Sequence, residues 1–466
     1  MSRTGAQLRL GALLALAALA LLASCGEKPA PNVLLVVVDT LRADHTSVYG
    51  YERDTTPRLR DVALQGSVFE QAYAPVGLTG PTHASLFTSL HPLSHGVVRN
   101  GQSLGSEYVT LAEYLQVRGY QTAAVVSSFV LARKFGLAQG FGFYDDEFLP
   151  SEATVELAEW EGHAVREGFD RRADHTRRRA VEWLRERRDP ERPFFLFVHF
   201  FDPHSPYEPP ARNAGRFDGA EDEVEREVAA YDAEIAFTDA AIAELLDALD
   251  ELGLADDTLL VVTADHGEGL MQRGYMLHGL SVHEEELRVP LIVRWPAALP
   301  AGQRVPEPVS IQDLVPSIAE LVAIARAGGV SEGRSFAAAL RGESSLDPER
   351  PLYLFRRDFG SDAVSPEVVA ETGREQAGVS VAGPQYGLRA GSWKYVLAPR
   401  EAAPALFDLE SDPLELENLA RREPETAERL RQQLDAWLSA RGQPMPGAGE
   451  PSAEDRAGLR ALGYGD

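Results

Sequence analysis

The stretch VLLVVVDT, residues 33–40, is a run of six apolar residues, mostly β-branched, that ends in Asp39 and Thr40. A run with no polar alternation predicts a strand that is buried on both faces. Similar runs recur at residues 122–126, 194–198, 259–262 and 291–293, and helical patterns separate them. This alternation predicts an α/β fold with a largely parallel, doubly wound sheet and helices on both faces.

The second part of the chain has a different pattern. Glycine, serine and charged residues over 325–349 predict a boundary between a large first domain, residues 31–325, and a small C-terminal α+β domain, residues 350–440. The small domain is predicted to contain strands at 352–355, 386–389 and 394–397 and a closing helix at 424–438. Residues 441–466 are rich in glycine and proline and are predicted to form a tail. The clearest helix of the first domain is predicted over residues 224–249.

Charge restricts the class of partner. The chain has 466 residues, with 45 basic against 71 acidic side chains and a formal net charge of −26. Such a balance argues against binding to nucleic acid or to an anionic membrane surface. An anionic substrate would need a local cation to offset the repulsive field, and a bound metal ion supplies one.

The amino terminus predicts export. Arg3 and Arg9 precede an apolar run over residues 10–21, which gives way to small residues and Cys25. The run is short for a membrane span, and this arrangement is typical of a bacterial lipoprotein signal peptide over residues 1–25 with Cys25 as the lipidated residue. An uncleaved signal anchor is the alternative. In both cases the catalytic part is expected in the periplasm or on the extracytoplasmic face of the cell envelope, and the lipid anchor would be its membrane contact.

Three candidate metal ligands follow predicted strands. Asp39 follows the strand at 33–38, and Asp265 with His266 follows the one at 259–264. In open α/β sheets, functional groups gather at the carboxyl ends of the strands. A lone aspartate there is more often a turn or helix cap, but two strand ends that each supply a carboxylate indicate a metal site.

The segment over residues 74–86 predicts a loop that enters a helix, with Pro81 in the first turn and Thr79 at the amino end. Unpaired amides and the helix dipole favour an anion at that position. A hydroxyl held there, next to a metal ion, can act as a nucleophile. The alternative is that Thr79 only caps the helix.

Histidines supply the remaining candidates. His204 lies in a proline-rich segment after a strand, where an imidazole can protonate a leaving alkoxide. His278 precedes another predicted strand, and His83 follows Thr79 by four residues. Each of them alone would more often be structural. Asn100, within Arg99-Asn100-Gly101, either contacts substrate or forms a turn.

Together these segments resemble the sulfatase family of the alkaline-phosphatase superfamily over residues 31–321, with a weaker match over residues 406–419. The resemblance implies an alkaline-phosphatase-like fold and a first domain that is catalytic. It implies Asp39, Asp265 and His266 as metal ligands and Thr79 as nucleophile and fourth ligand. It further implies His204 as the general acid and His278 as a contact to the non-bridging oxygens of the ester. His83 occupies the position where sulfatases usually carry arginine, and is expected to contribute to catalysis and substrate binding.

Two departures from the family pattern change the expected chemistry. Sulfatases carry cysteine or serine at the position of Thr79 and convert it to formylglycine, an aldehyde that threonine cannot give. The only cysteine, Cys25, lies in the signal segment. Thr40 also replaces the second aspartate of the usual pair. The remaining set fits one divalent metal ion, with Mn²⁺ or Zn²⁺ favoured over Mg²⁺ or Ca²⁺ because a histidine is present.

These departures favour phosphodiesters or phosphonate monoesters over sulfate esters. Water can cleave a phosphothreonine, whereas a sulfothreonine lacks the elimination route that releases sulfate from formylglycine. Threonine-based relatives include phosphodiesterases, phosphonate hydrolases and phosphoglycerol or phosphoethanolamine transferases. The alternatives are an arylsulfatase-like hydrolase without formylglycine, a transferase of the latter type, and an inactive surface-binding lipoprotein.

Overall fold

The computed structural model describes residues 30–148, 170–219, 221–324, 331–358, 383–398 and 403–441. The predicted signal peptide and Cys25 lie outside these residues, as does the predicted tail after residue 441. The strands, numbered in chain order, are β1 (Asn32–Val38), β2 (Ser67–Tyr73), β3 (Gln121–Val125), β4 (Phe143–Asp145), β5 (Phe194–Phe200), β6 (Thr258–Ala264), β7 (Arg288–Arg294), β8 (Gln303–Val305), β9 (Val309–Ser310), β10 (Leu352–Arg356), β11 (Gln385–Ala390), β12 (Trp393–Leu397) and β13 (Ala405–Asp408).

The α-helices are α1 (Pro57–Leu64), α2 (Thr79–Thr88), α3 (Pro92–His95), α4 (Leu111–Val117), α5 (Ala173–Glu182), α6 (Glu223–Glu251), α7 (Glu284–Leu287), α8 (Leu314–Leu321), α9 (Ala337–Leu340) and α10 (Pro424–Ala440). A π-helical turn, Trp183–Arg187, continues α5. No helix among the described residues combines the length and the apolar character that crossing a membrane requires.

The larger sheet has the strand order β4-β3-β5-β1-β6-β7-β2-β8, and β9 pairs with β2. β1 lies between β5 and β6 and is parallel to both, while β7 is antiparallel to β6 and β2. Side chains of β1 from Val33 to Val38 are buried, as continuous apolarity predicts. The prediction of a largely parallel α/β sheet is confirmed, and the apolar run at residues 291–293 belongs to the antiparallel β7.

The predicted helix at residues 224–249 is α6, which begins at Glu223 after the cap Asp222. Its buried Tyr231 donates a hydrogen bond to the carbonyl of Thr40 (2.7 Å) and accepts one from the amide of Arg42 (3.0 Å). Thr40 itself has a positive φ of 53°. The helix therefore fixes the turn that directly follows β1, where Asp39 lies.

The second sheet is antiparallel, with the order β10-β11-β12-β13. Leu430 and Leu434 of α10 pack with Leu388, Tyr395 and Leu406 of this sheet in a separate small core. The predicted strands and closing helix are therefore present. The chain from Asn32 onward groups into one compact unit, and the division into two domains near residue 325 stays a prediction.

Candidate active site and metal centre

Asp39 and Asp265 lie side by side at the carboxyl end of the larger sheet. Each directly follows its strand, and the last residues of those strands, Val38 and Ala264, are register partners. Oδ1 of Asp265 accepts hydrogen bonds from the amides of His266 (2.8 Å) and Thr40 (3.2 Å). These bonds hold the carboxylate so that Oδ2, which makes no hydrogen bond, faces Asp39 and His266.

His266 completes a triad of buried ligand atoms. Its Nε2 is 3.6 Å from Oδ1 of Asp39 and 3.5 Å from Oδ2 of Asp265. Its Nδ1 donates to the carbonyl of Gly267 (3.0 Å), so in the neutral ring Nε2 carries the free lone pair. Two carboxylates and one imidazole within 4.8 Å of one another fit a divalent metal ion. The structure thus brings the three predicted ligands together.

The electrostatics of the triad also fit a cation. Burial raises the pKa of Asp39 well above its usual range, and burial together with the neighbouring Asp39 charge does the same for Asp265. Burial lowers the pKa of His266 to about 3. Among the described residues, the side chains within ion-pair distance of these two carboxylates are His83, His199 and His266, not lysine or arginine. Burial lowers the pKa of all three histidines, so they are neutral and do not offset the carboxylate charges. A bound divalent ion would stabilise both carboxylates in their charged form.

Thr79 is the first residue of α2 and lies above this triad. Its hydroxyl is 3.3 Å from Nε2 of His266. Nearby, the side-chain oxygen of Asn100 accepts a hydrogen bond from the amide of Gly80 (2.7 Å). Asn100 lies in a turn, which was one of the two alternatives from the sequence. It also satisfies one free amide at the start of the helix, a role that the sequence did not predict. Its contact to substrate stays a prediction.

His204 and His278 form a pair. Nδ1 of His204 donates to the carbonyl of Ser205 (2.7 Å) and Nδ1 of His278 donates to the carbonyl of Gly77 (3.0 Å). Their Nε2 atoms face each other at 3.2 Å. The ring of His278 also lies against that of His266, with centroids 4.2 Å apart. The two predicted histidines therefore lie next to the metal triad.

Glu286 supports this pair and was not identified from the sequence. Its carboxylate accepts hydrogen bonds from the amides of Gly279 (2.6 Å) and Ser281 (2.9 Å) and from the hydroxyl of Tyr275 (2.7 Å). Burial raises the pKa of Glu286 to about 7. The carboxylate thereby fixes the turn that carries His278, and nothing in the local sequence indicates this role.

His83 lies one helical turn beyond Thr79 and is fully buried. Its Nδ1 donates to the carbonyl of Thr79 (2.8 Å), and its ring lies against that of His199, with centroids 5.0 Å apart. His199 belongs to β5, and sequence reasoning missed it. The signal was a single histidine within the otherwise apolar stretch Phe194–Phe200. The roles of His83 in catalysis and substrate binding stay predictions.

Comparisons with known proteins agree with this architecture. The Sulfatase family model matches residues 31–324. Arylsulfatase K of Mus musculus is 26% identical in an alignment 469 residues long that spans 87% of this chain and 79% of that relative. The phosphonate monoester hydrolase of Agrobacterium radiobacter superposes with a TM-score of 0.69 at 21% identity, over 91% of this chain and 100% of the other. A protein solved with its substrate D-glucosamine-2-N,6-O-disulfate gives a TM-score of 0.70 at 19% identity, over 88% and 97%. At these identities the two structures show the shared fold alone.

Proposed function

The chain belongs to the sulfatase family of ester hydrolases, and we propose that it cleaves phosphodiesters or phosphonate monoesters through a phosphothreonine at Thr79. The observation that supports this most strongly is the position of the Thr79 hydroxyl. It lies at the amino end of α2, 3.3 Å from Nε2 of His266 and beside the buried carboxylates. A helix start and a metal site together favour both an alkoxide and an anionic ester at this point.

The residue type favours phosphorus over sulfur. Threonine cannot be oxidised to the aldehyde on which formylglycine sulfatases depend, and no other candidate nucleophile occupies this position. The fold does not decide the question, because it is shared with a phosphonate monoester hydrolase and with a protein that binds a sulfated sugar. The preference for phosphorus esters therefore rests on the second step, in which the acid is released from Thr79. Water can cleave a phosphothreonine directly.

Asp39, Asp265, His266 and the Thr79 hydroxyl would hold one divalent ion, for which we favour Mn²⁺ or Zn²⁺. Such an ion would lower the pKa of the Thr79 hydroxyl and offset the charge on the ester oxygens. All four residues are fully buried, three of them directly after β1 or β6 and Thr79 at the start of α2. Their donor set of oxygen and imidazole nitrogen suits these metals.

The side chains supply the remaining steps. Thr79 gives up its hydroxyl proton to solvent water, and the resulting alkoxide oxygen Oγ1 forms a bond to phosphorus while the bond from phosphorus to the leaving oxygen breaks. Because Nδ1 of His204 donates to a carbonyl, His204 can protonate that oxygen only as the imidazolium, with the second proton at Nε2. Burial lowers the pKa of His204 to about 3, and the negative charge of the bound ester would raise it. His278 contacts the non-bridging oxygens. Water then attacks the phosphothreonine, passes its proton to His204 and frees Thr79.

The function is tested by comparing three p-nitrophenyl esters: a phosphate diester, a phosphonate monoester and a sulfate. The purified protein is loaded with Mn²⁺ or Zn²⁺, and metal-free protein serves as the control. We expect at least one phosphorus ester to be cleaved faster than the sulfate ester by about tenfold or more, equivalent to about 1.4 kcal/mol. Faster sulfate cleavage would overturn the preference for phosphorus. Products formed only when glycerol or ethanolamine is present would indicate transfer instead of hydrolysis.

Substitution of His204 by glutamine is expected to act through the leaving group. For phenyl esters, whose leaving oxygen needs a proton, we expect kcat to fall by about 10²-fold or more, as is typical for loss of a general acid. For p-nitrophenyl esters of the same acid the loss should be much smaller, because nitrophenolate leaves without protonation. His175→Gln, which changes a half-buried histidine on α5, is the matched control. Equal losses on both esters would show that His204 does not act as the acid.

A further inference from the structure

Two buried histidines next to the metal triad have ring nitrogens without a hydrogen-bond partner. His199 is fully buried on β5, and neither of its ring nitrogens makes a hydrogen bond. His83 is equally buried, and its Nε2 has no hydrogen-bond partner. Because Nδ1 of His83 donates to a carbonyl, Nε2 of the neutral ring carries a lone pair. Buried polar atoms are almost always satisfied, so three unsatisfied ring nitrogens in one place indicate a missing partner.

The two oxygens of the Asp39 carboxylate face different histidines. Its Oδ1 lies 3.6 Å from Nε2 of His266, and its Oδ2 lies 3.5 Å from Nε2 of His199. Both distances are too long for a hydrogen bond. They are close to the roughly 3.4 Å that separates two ligand atoms on a tetrahedral ion with bonds of about 2.1 Å. Each oxygen is therefore placed to share an ion with a different histidine.

Asp265 belongs both to the ligand group that contains His266 and to the one that contains His83 and His199. Its Oδ2 is 3.5 Å from Nε2 of His266. The His83 ring lies beside the same oxygen, with Nδ1, the nitrogen that donates to the Thr79 carbonyl and therefore does not bind an ion, at 3.8 Å. His83, His199 and Asp265 offer ligand atoms within 4.8 Å of one another, as Asp39, Asp265 and His266 do. Thr79 and His83 are four residues apart on α2, so they lie on one helix face about one 5.4 Å turn apart. One group of ligands thus lies beside the Thr79 hydroxyl, and the other includes the His83 ring, which contacts the Thr79 carbonyl.

We propose that His83 and His199 form a second divalent-cation site with Asp39 and Asp265, so that the two carboxylates bridge a pair of ions. Two imidazoles and two carboxylate oxygens suit Zn²⁺ or Mn²⁺ better than Mg²⁺ or Ca²⁺. The positive charge of two divalent ions exceeds the negative charge of the two carboxylates, so the site as a whole would be positive. In a chain with a net charge of −26, such a centre offsets the field that repels an anionic ester.

The test is the number of ions bound per chain. Full-length protein is stripped with chelator, reloaded with Mn²⁺ or Zn²⁺, freed of excess metal by gel filtration and analysed by mass spectrometry of the metal. We expect two ions in the wild type and in His175→Gln, and one ion in His83→Gln and in His199→Gln. Electron paramagnetic resonance of the Mn²⁺ protein should show a coupled pair in the wild type and an isolated ion in the two variants.

The wild-type count and spectrum do not depend on whether a variant folds. One ion in the wild type at saturating metal, with the spectrum of an isolated Mn²⁺, would overturn the proposal. So would two ions in both histidine variants. The inference shares Asp39 and Asp265 with the proposed function, but the two can fail separately. Phosphoester hydrolysis by a protein with one ion leaves the function intact without the second site, whereas two ions in a protein that cleaves no ester leaves the site without the function.

Discussion

Replacing Thr79 with alanine is expected to lower kcat/KM for phosphoester hydrolysis by roughly 10⁴-fold or more, the scale seen when a covalent nucleophile is removed. The variant loses the oxygen that forms the bond to phosphorus. Asp39, Asp265 and His266 remain as a buried triad, so most of the bound metal should be retained. The measurement is kcat/KM on the best p-nitrophenyl ester, with metal content determined on the same preparation.

Thr79→Ser is the matched control, because it keeps the hydroxyl at the start of α2 and removes only a methyl group. It should retain far more activity than the alanine variant. Rapid acid quenching of the wild type during turnover should also trap a phosphorylated peptide that contains Thr79. If Thr79→Ala keeps activity within about tenfold of the wild type, a difference of about 1.4 kcal/mol, the reaction proceeds by direct attack of water and not through Thr79.

The fold class and the closeness of Asp39 and Asp265 could be predicted from the sequence for the same physical reason. Strands buried on both faces give continuous apolar runs, which can be recognised without knowing their partners. Asp39 and Asp265 each end such a run, and the parallel pairing of β1 and β6 then places them side by side. The apolar runs were sufficient to locate these two residues because the candidate site lies directly after the strands end.

Features that depend on distant partners were not recognised. β2 contains Glu70 and Gln71 and has no clear alternation, yet it pairs with the antiparallel β7. His199 directly follows the predicted apolar run at residues 194–198, and only the structure shows its Nε2 to be 3.5 Å from Oδ2 of Asp39. Glu286 gains its role only because a turn folds back onto its carboxylate. None of these contacts leaves a periodic signal in the residues near it.

Asp265→Asn is expected to remove bound metal and, with it, nearly all activity. The amide oxygen can still accept from the amides of Thr40 and His266, so the turn after β6 should be preserved. The charged Oδ2 that faces His266 is lost. Metal ions supply several kcal/mol of transition-state stabilisation, so we expect kcat/KM to fall by about 10³-fold or more. Metal content should fall in parallel, and unchanged metal content would show that Asp265 is not a ligand.

Without metal, Asp265→Asn is expected to be more stable than the wild type, the opposite of the order expected with metal bound. Burial and the Asp39 charge raise the pKa of Asp265 in the folded chain, so between about pH 4 and that raised pKa the folded state binds more protons than the unfolded state. The unfolding free energy of the metal-free wild type therefore falls as pH rises through this window. Asparagine has no proton to lose there, and it removes the repulsion from Asp39.

In chelator at pH 8, Asp265→Asn should consequently unfold at a higher temperature than the wild type, and the difference should shrink towards pH 5. Added Mn²⁺ or Zn²⁺ should then stabilise the wild type alone, by about 2.7 kcal/mol at a metal concentration of 100 times Kd. An equal metal-induced rise in Tm for both proteins would mean that the ion binds elsewhere. The two results expected here are that metal stabilises the wild type and that loss of one charge stabilises the metal-free variant. Together they would show that Asp39 and Asp265 repel each other unless a cation lies between them.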